Sequence, residues 1–228
     1  MRNLLKNPIW RNIELGYSIP DNEHAVSVAL PTWNDVINYE EKNPKCIELL
    51  KSIYPRFGLN PLVKRLCEKK KKESHLNDQS IWPYPDERIA LKAKKYCDKN
   101  TSKGSSYIER RHNLFFLITR ESASIYAKSF WQHTGLGLSS RAAAIELGIE
   151  DCPSKSLANE SYQRIKDRIS KFTKSSSNDI HLTSSGMSAL YTSLEIIYKL
   201  FPERPTLQIG FPYVCLLYTS DAADELCR

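Results

Sequence analysis

Ser184-Ser185-Gly186-Met187 is the stretch of this chain whose residue types and placement could do chemistry. The pattern around it predicts a strand before the turn and a helix after it. The first N–H groups of a helix have no internal partner and lie at the positive end of its dipole. Small residues there let an anion, a phosphate above all, come close to them. The same turn also serves as a plain strand-to-helix connection, and on residue types alone that reading is preferred. Other candidates carry less. His181 alternates with Ile180 and Leu182 and reads as a structural or surface residue, and neither it nor His133 is assigned a role. Arg141 follows two serines and suits an anion or a salt bridge equally. Cys46, Cys67, Cys97, Cys152, Cys215 and Cys227 never form a C-x-x-C pair, which argues against a zinc centre and a secreted disulfide framework. No metal ligand is expected, and a reducing, cytoplasmic setting is.

The elements that must position this turn follow from apolar periodicity and breakers. Residues 34–51 read as helical around a break at Asn43-Pro44, 62–72 as a helix, and 73–86 and 97–106 as loops. Between the first two helices, 54–61 is an irregular loop, because the residue before each proline is pushed out of the helical region. The continuous apolar run 114–119 predicts a buried strand of an α/β sheet, with helices at 123–131 and 140–147 beyond it. Residues 156–174 place Leu157, Tyr162, Ile165, Ile169 and Phe172 on one face of an amphipathic helix. Strands at 179–183 and 206–210 around a helix at 187–200 predict a β-α-β unit and the start of a parallel sheet.

Composition narrows the class. The chain has 228 residues, 41% of them apolar, enough for one sizeable core. Its net charge of +7 arises from 33 Lys and Arg against 26 Asp and Glu. The densest basic run, Lys69 to Lys72, reads as the solvated end of a helix, so no nucleic-acid partner is expected. No stretch reaches membrane-spanning length and the first ten residues lack a signal-peptide apolar region, so no membrane partner is expected either.

Ser185-Gly186-Met187-Ser188-Ala189 resembles the S-G-M-x-A signature of the Cys/Met-metabolism family of pyridoxal-phosphate enzymes, and Tyr54-x-Arg56 with Asn60-Pro61 resembles that family's Y-x-R…N-P element. Wider stretches resemble fungal-type cystathionine γ-synthases in family order: Gly16 to Pro20, His24 to Val28, Leu30 to Ile37, Tyr54 to Phe57, Phe130-Trp131-Gln132-His133-Thr134-Gly135, Ser139-Ser140-Arg141 and Gly210-Phe211-Pro212-Tyr213-Val214. The matches are weak between Glu73 and Ser124.

The resemblance implies an α/β fold: an incomplete fold-type I, aminotransferase-like domain behind an N-terminal extension. Residues 1–155 would form the extension with the Y-x-R element and a lineage-specific insertion, and 156–214 the start of the cofactor-binding domain. It further implies pyridoxal 5′-phosphate, bound by Ser185, Gly186 and Met187 at its phosphate and by Tyr213 stacked on its ring. On the residues alone Tyr213 reads as the end of a core strand; the resemblance makes it a catalytic residue that assists proton movement. Tyr54 and Arg56 would reach across a dimer interface to the neighbour's cofactor, a task suited to the planar fork of an arginine. The implied reaction is γ-replacement on an activated homoserine ester by cysteine, within transsulfuration and methionine biosynthesis. A related lyase, a homoserine sulfhydrylase, or a non-catalytic binding or regulatory fragment are the alternatives.

In that family the cofactor-tethering lysine, the aspartate at the pyridinium nitrogen and the substrate-carboxylate arginine follow the ring-stacking tyrosine. Here the match stops at Val214, and Cys215 to Glu225 resembles the translated product of a transposase-based sequencing adapter. Residues 215–228 are therefore expected to be an artefact, and these 228 residues alone to be inactive.

Overall fold

The computed structural model describes residues 2–55, 57–101, 104–202, 204–205, 207 and 209–210. Along the chain, β1 (Ser18–Ile19) and β2 (Ser27–Val28) precede helices α1 (Trp33–Glu40), α2 (Pro44–Leu49) and α3 (Pro61–Ser74). Next come β3 (Ser80–Tyr84), α4 (Glu87–Asn100), β4 (Ser106–Arg111), β5 (Leu114–Thr119) and α5 (Glu121–Thr134). Helices α6 (Ser140–Leu147), α7 (Lys155–Thr173) and α8 (Gly186–Leu200) follow. The architecture is mixed α/β. It divides into a unit of Met1–Asn77 with Leu138–Leu147, and a unit of Asp78–Gly137 with Gly148–Arg228.

In the first unit local chemistry sets the helix starts. The Thr32 side chain caps α1 in a reciprocal box with Asp35, while α2 and α3 each begin at a proline behind an asparagine cap, Asn43 and Asn60. A proline loses nothing at that position, where its N–H would have no partner. The core gathers Tyr39, Cys46 and Ile53 with Leu15, Leu30, Ile47, Leu50 and Phe57 around them. Glu14 anchors the N-terminal segment: it pairs with Arg2 and accepts the N–H groups of Trp10 (3.0 Å) and Arg11 (2.9 Å). The Arg2 guanidinium, then the Arg11 N–H, hold its carboxyl down at about 2.

The second unit opens as a β-α-β-β-α arrangement, and α7 and α8 follow. Its sheet runs β3-β5-β4, antiparallel throughout, with Trp82 opposite Leu117 and Ile108 opposite Leu117 from the other side. Both β3 and β4 run against the central β5, so they are parallel to each other and α4 crosses between them, a split β-α-β. Helices α4 and α5 pack together on the sheet through rings. Phe130 of α5 lies 6.1 Å from Tyr84, 6.0 Å from Tyr96 and 6.3 Å from Tyr191, and Trp131 lies 5.9 Å from Trp82. Phe116, Leu117, Ile118 and Thr119 are completely buried, so both faces of β5 are covered.

Three expectations need correction. The start of a parallel sheet expected around α8 is not present among the described residues, and the sheet they do form, β3-β5-β4, is antiparallel. A continuous apolar run reports that a strand is buried on both faces and is silent about its direction. Residues 179–183 form no strand: a 3-10 turn at Ser177–Asp179 leads into extended chain. No strand is present at the described residues 207, 209 and 210 either, while 206 and 208 lie outside the description. The alternation Ile180-His181-Leu182 supplies a pattern but no partner strand, and pairing is what makes a strand. Finally, β3 and part of α4 occupy stretches expected to be loops. Pro83 disguises β3, yet an edge strand tolerates proline. Helix α7 forms as expected, but none of its residues is buried and Phe172 is 83% exposed.

Candidate functional site

Helix α8 is seated by one face. Ser188, Tyr191, Glu195 and Tyr198 recur at helical spacing and are all buried. Tyr191 meets Phe130, Leu136 packs against the same cluster, and Glu195 pairs with Lys92 of α4. The Lys92 ammonium also sits 5.8 Å from the Tyr191 ring centre, which adds a cation–π contact. These contacts fix where the helix begins.

Its first turn is closed by a capping box. Ser185, in extended conformation, accepts the Ser188 N–H at 3.1 Å, and the Ser188 hydroxyl accepts the Ser185 N–H at 2.9 Å. Ser188 then donates its own proton to the Ser185 carbonyl at 2.8 Å, so this buried hydroxyl is fully engaged. The Thr183 hydroxyl donates to the same carbonyl at 2.9 Å. Gly186 holds the first helical position, where an N–H has no intrahelical acceptor. It is exposed, and a Cβ placed on it would meet no heavy atom within 4 Å. The result is an open face at the positive end of a helix dipole, bordered by small residues, and a phosphate group fits it.

The other expected site residues fall as follows. Ser185, Gly186 and Met187 lie together at this turn, although coil precedes it rather than a strand. Tyr54 belongs to the first unit, 42% exposed in a turn; its N–H donates to the Tyr39 hydroxyl at 3.4 Å and its ring lies 6.0 Å from Phe57. Arg56, Tyr213 and residues 215–228 lie outside the described residues. His133 ends α5 with its Nδ1 buried, His181 is exposed in coil, and Arg141 is exposed in the first turn of α6. Among the described residues no group of three His, Cys, Asp or Glu could hold a metal ion, and no helix is long and apolar enough to cross a membrane.

Sequence reasoning missed two contributors. Gly135, named in the sequence only within the family-like stretch Phe130 to Gly135, lies directly against the start of α8. Glu195, one turn short of the helix end, holds Lys92 from more than a hundred residues away. The one available signal for the latter was a single carboxylate in the helix, on the face of Tyr191 and Tyr198.

A mixed α/β chain with a serine-capped, open helix start is compatible with part of a fold-type I domain, and comparison with known proteins points to the cystathionine γ-synthases. A Saccharomyces cerevisiae protein provisionally named a cystathionine γ-synthase is 30% identical over 149 residues, 57% of this chain and 23% of its own. The Saccharomyces cerevisiae cystathionine γ-synthase is 28% identical over 158 residues, 60% of this chain and 25% of its own. That of Neurospora crassa is 25% identical over 156 residues, 57% of this chain and 25% of its own. The chain spans about a quarter of the length of the curated relatives it matches. These similarities support kinship with that family. No protein-family profile matches the chain. No solved structure matches it.

Proposed function

We propose that these residues form the N-terminal part of a pyridoxal-phosphate enzyme that makes cystathionine from an activated homoserine ester and cysteine. The observation that carries the reading is the open, serine-capped start of α8 at Gly186, in a chain whose relatives are cystathionine γ-synthases. The Gly186 N–H and the dipole of α8 hold the phosphate group of the cofactor. Ser185 and Ser188 keep the turn in shape, and Tyr213 stacks on the ring. When bound, the cofactor supplies an electron sink for carbanion chemistry. Tyr54 and Arg56 serve the site of a second subunit, so the working enzyme is a homo-oligomer, and its setting is cytoplasmic. Residues 215–228, read as adapter-derived, take no part, and sequencing the gene across Val214 checks this directly.

The test is an amide-resolved titration of the 228-residue chain. Adding pyridoxal phosphate, or inorganic phosphate as the simpler probe, is expected to shift the amide resonances of Gly186 and its neighbours first. Cystathionine formation is expected to stay at the protein-free background, because the resemblance assigns the tethering lysine to no residue of this chain. Shifts confined to surface lysine segments, with the start of α8 unmoved at millimolar ligand, would refute the proposal.

A further inference from the structure

We infer that Gly135 is a positioning residue for the phosphate-binding start of α8, an inference that rests on the reading of that turn given above. Gly135 caps α5 in the left-handed conformation, φ +66°. A methyl group on it would lie 2.6 Å from Met187 Cβ, 2.6 Å from Ser185 Oγ and 2.8 Å from the Ser188 nitrogen. Real side chains do not approach that closely, so the first turn of α8 rests on bare backbone. The end of α5 is itself pinned: Thr134, completely buried, donates to the Phe130 carbonyl at 2.7 Å and accepts the Leu136 N–H at 3.4 Å.

The Gly135 carbonyl explains how the serines are used. It accepts the Ser185 hydroxyl at 3.3 Å and the Ser184 hydroxyl at 3.4 Å. Ser185 thereby turns a lone pair to the Ser188 N–H and its proton inward, toward the Gly135 carbonyl at 3.3 Å and the Ser188 hydroxyl at 3.2 Å. Two consequences follow. The carbonyl at the negative end of α5, which would repel an anion, faces two serine hydroxyls that it shares with the Ser188 oxygen. The phosphate is held by the main chain at Gly186, while the Ser185 hydroxyl does not donate to it.

A control is built into the fold. Gly148 has a similar conformation, φ +73°, yet a Cβ there meets nothing within 4 Å. Gly135→Ala and Gly148→Ala therefore impose comparable backbone strain, and only the first collides with α8. Both variants of the full chain are titrated with inorganic phosphate and with pyridoxal phosphate, following the Gly186 and Ser188 amide resonances. Gly135→Ala is expected to move the Ser188 resonance before any ligand is added and to weaken phosphate binding about tenfold or more, equivalent to 1.4 kcal/mol. Gly148→Ala is expected to bind as the unsubstituted chain does. Should Gly135→Ala fail to fold, Ser184→Ala bares one lone pair of the carbonyl without adding an atom and is expected to weaken binding several-fold. Absence of any ligand-induced shift in the unsubstituted chain overturns the phosphate reading beneath this inference. A shift of unchanged affinity in Gly135→Ala, or in Ser184→Ala where that variant stands in, overturns the role of Gly135 alone.

Discussion

Phe130→Ala tests whether the ring cluster seats the functional helix. Phe130 is completely buried and its ring stands near Tyr84, Tyr96 and Tyr191, which belong to β3, α4 and α8. Truncating a buried phenylalanine costs about 3–5 kcal/mol. Three ring pairs are lost together, each worth about 0.5–1.5 kcal/mol within that cost, which places this site toward the upper end. With a urea slope of about 2 kcal/mol/M, a loss of about 4 kcal/mol lowers the midpoint by about 2 M. Tryptophan fluorescence reads the right transition. Trp10 and Trp33 are 63% and 76% exposed, so the change on unfolding comes from the Trp82–Trp131 pair in the same unit as Phe130. Phe172→Ala is the comparison: its ring is 83% exposed, and the expected change is within about 0.5 kcal/mol. A loss below about 1 kcal/mol for Phe130→Ala, or equal losses for the two variants, would refute the reasoning.

Three further outcomes follow from single groups. The Tyr84 hydroxyl and Thr119 Oγ1 are buried without a hydrogen-bond partner, and burial also pushes the Tyr84 hydroxyl well above its usual range. Tyr84→Phe is therefore expected to be neutral or stabilising by up to about 1 kcal/mol, since it removes an unpaid desolvation, and a clear loss in thermal unfolding would expose a missed partner. Glu14 titrates at about 2 in the fold against an ordinary 4.5, so its contribution is present above 4.5 and is lost as pH falls through about 2. The midpoint gap between the unsubstituted chain and Glu14→Gln should shrink over that window; a constant gap rejects the assignment. Burial pushes the Cys67 and Cys97 thiols up to about 12, whereas Cys152 is exposed. Iodoacetamide at pH 8 should label Cys152 and spare the other two by peptide mass spectrometry; prompt labelling of Cys97 would mean that α4 opens readily.

What the sequence made legible was local. The helices followed from periodicity and punctuation: Asn43-Pro44 broke one apolar stretch into α1 and α2 because proline suits a first helical position and no interior one. The run Leu114–Thr119 announced a buried strand correctly, but its direction is set by its partners, the distant β3 and the hairpin neighbour β4 upstream of it, which no run encodes. Strand β4, Ser106–Arg111, carries Glu109, Arg110 and Arg111 at a sheet edge, where charge is tolerated and guards against stray pairing. Conversely, Ile180-His181-Leu182 had the alternation and formed nothing, since half a ladder has no energy of its own.

The candidate site divides along the same line. Ser185, Gly186 and Met187 were recognisable as a turn because small residues at a helix start are written consecutively, and the box that Ser185 and Ser188 close there is complete within one helical turn. The groups that hold the box in place are not written there. Gly135 lies fifty residues upstream of Ser185, and its relevant property, an absent methyl group beneath another helix, exists only once α5 and α8 are packed. Lys92 and Glu195 are likewise ordinary surface types until the fold brings them together. A helix start can therefore be found from its own residues, whereas what makes it rigid enough to hold a phosphate must be read from the elements beneath it. That is why the Ser188 amide, bonded to the Ser185 hydroxyl and lying close beneath any methyl added at Gly135, is a direct reporter of the site: it should move when the seat is disturbed, even though no atom of the cap itself has been changed.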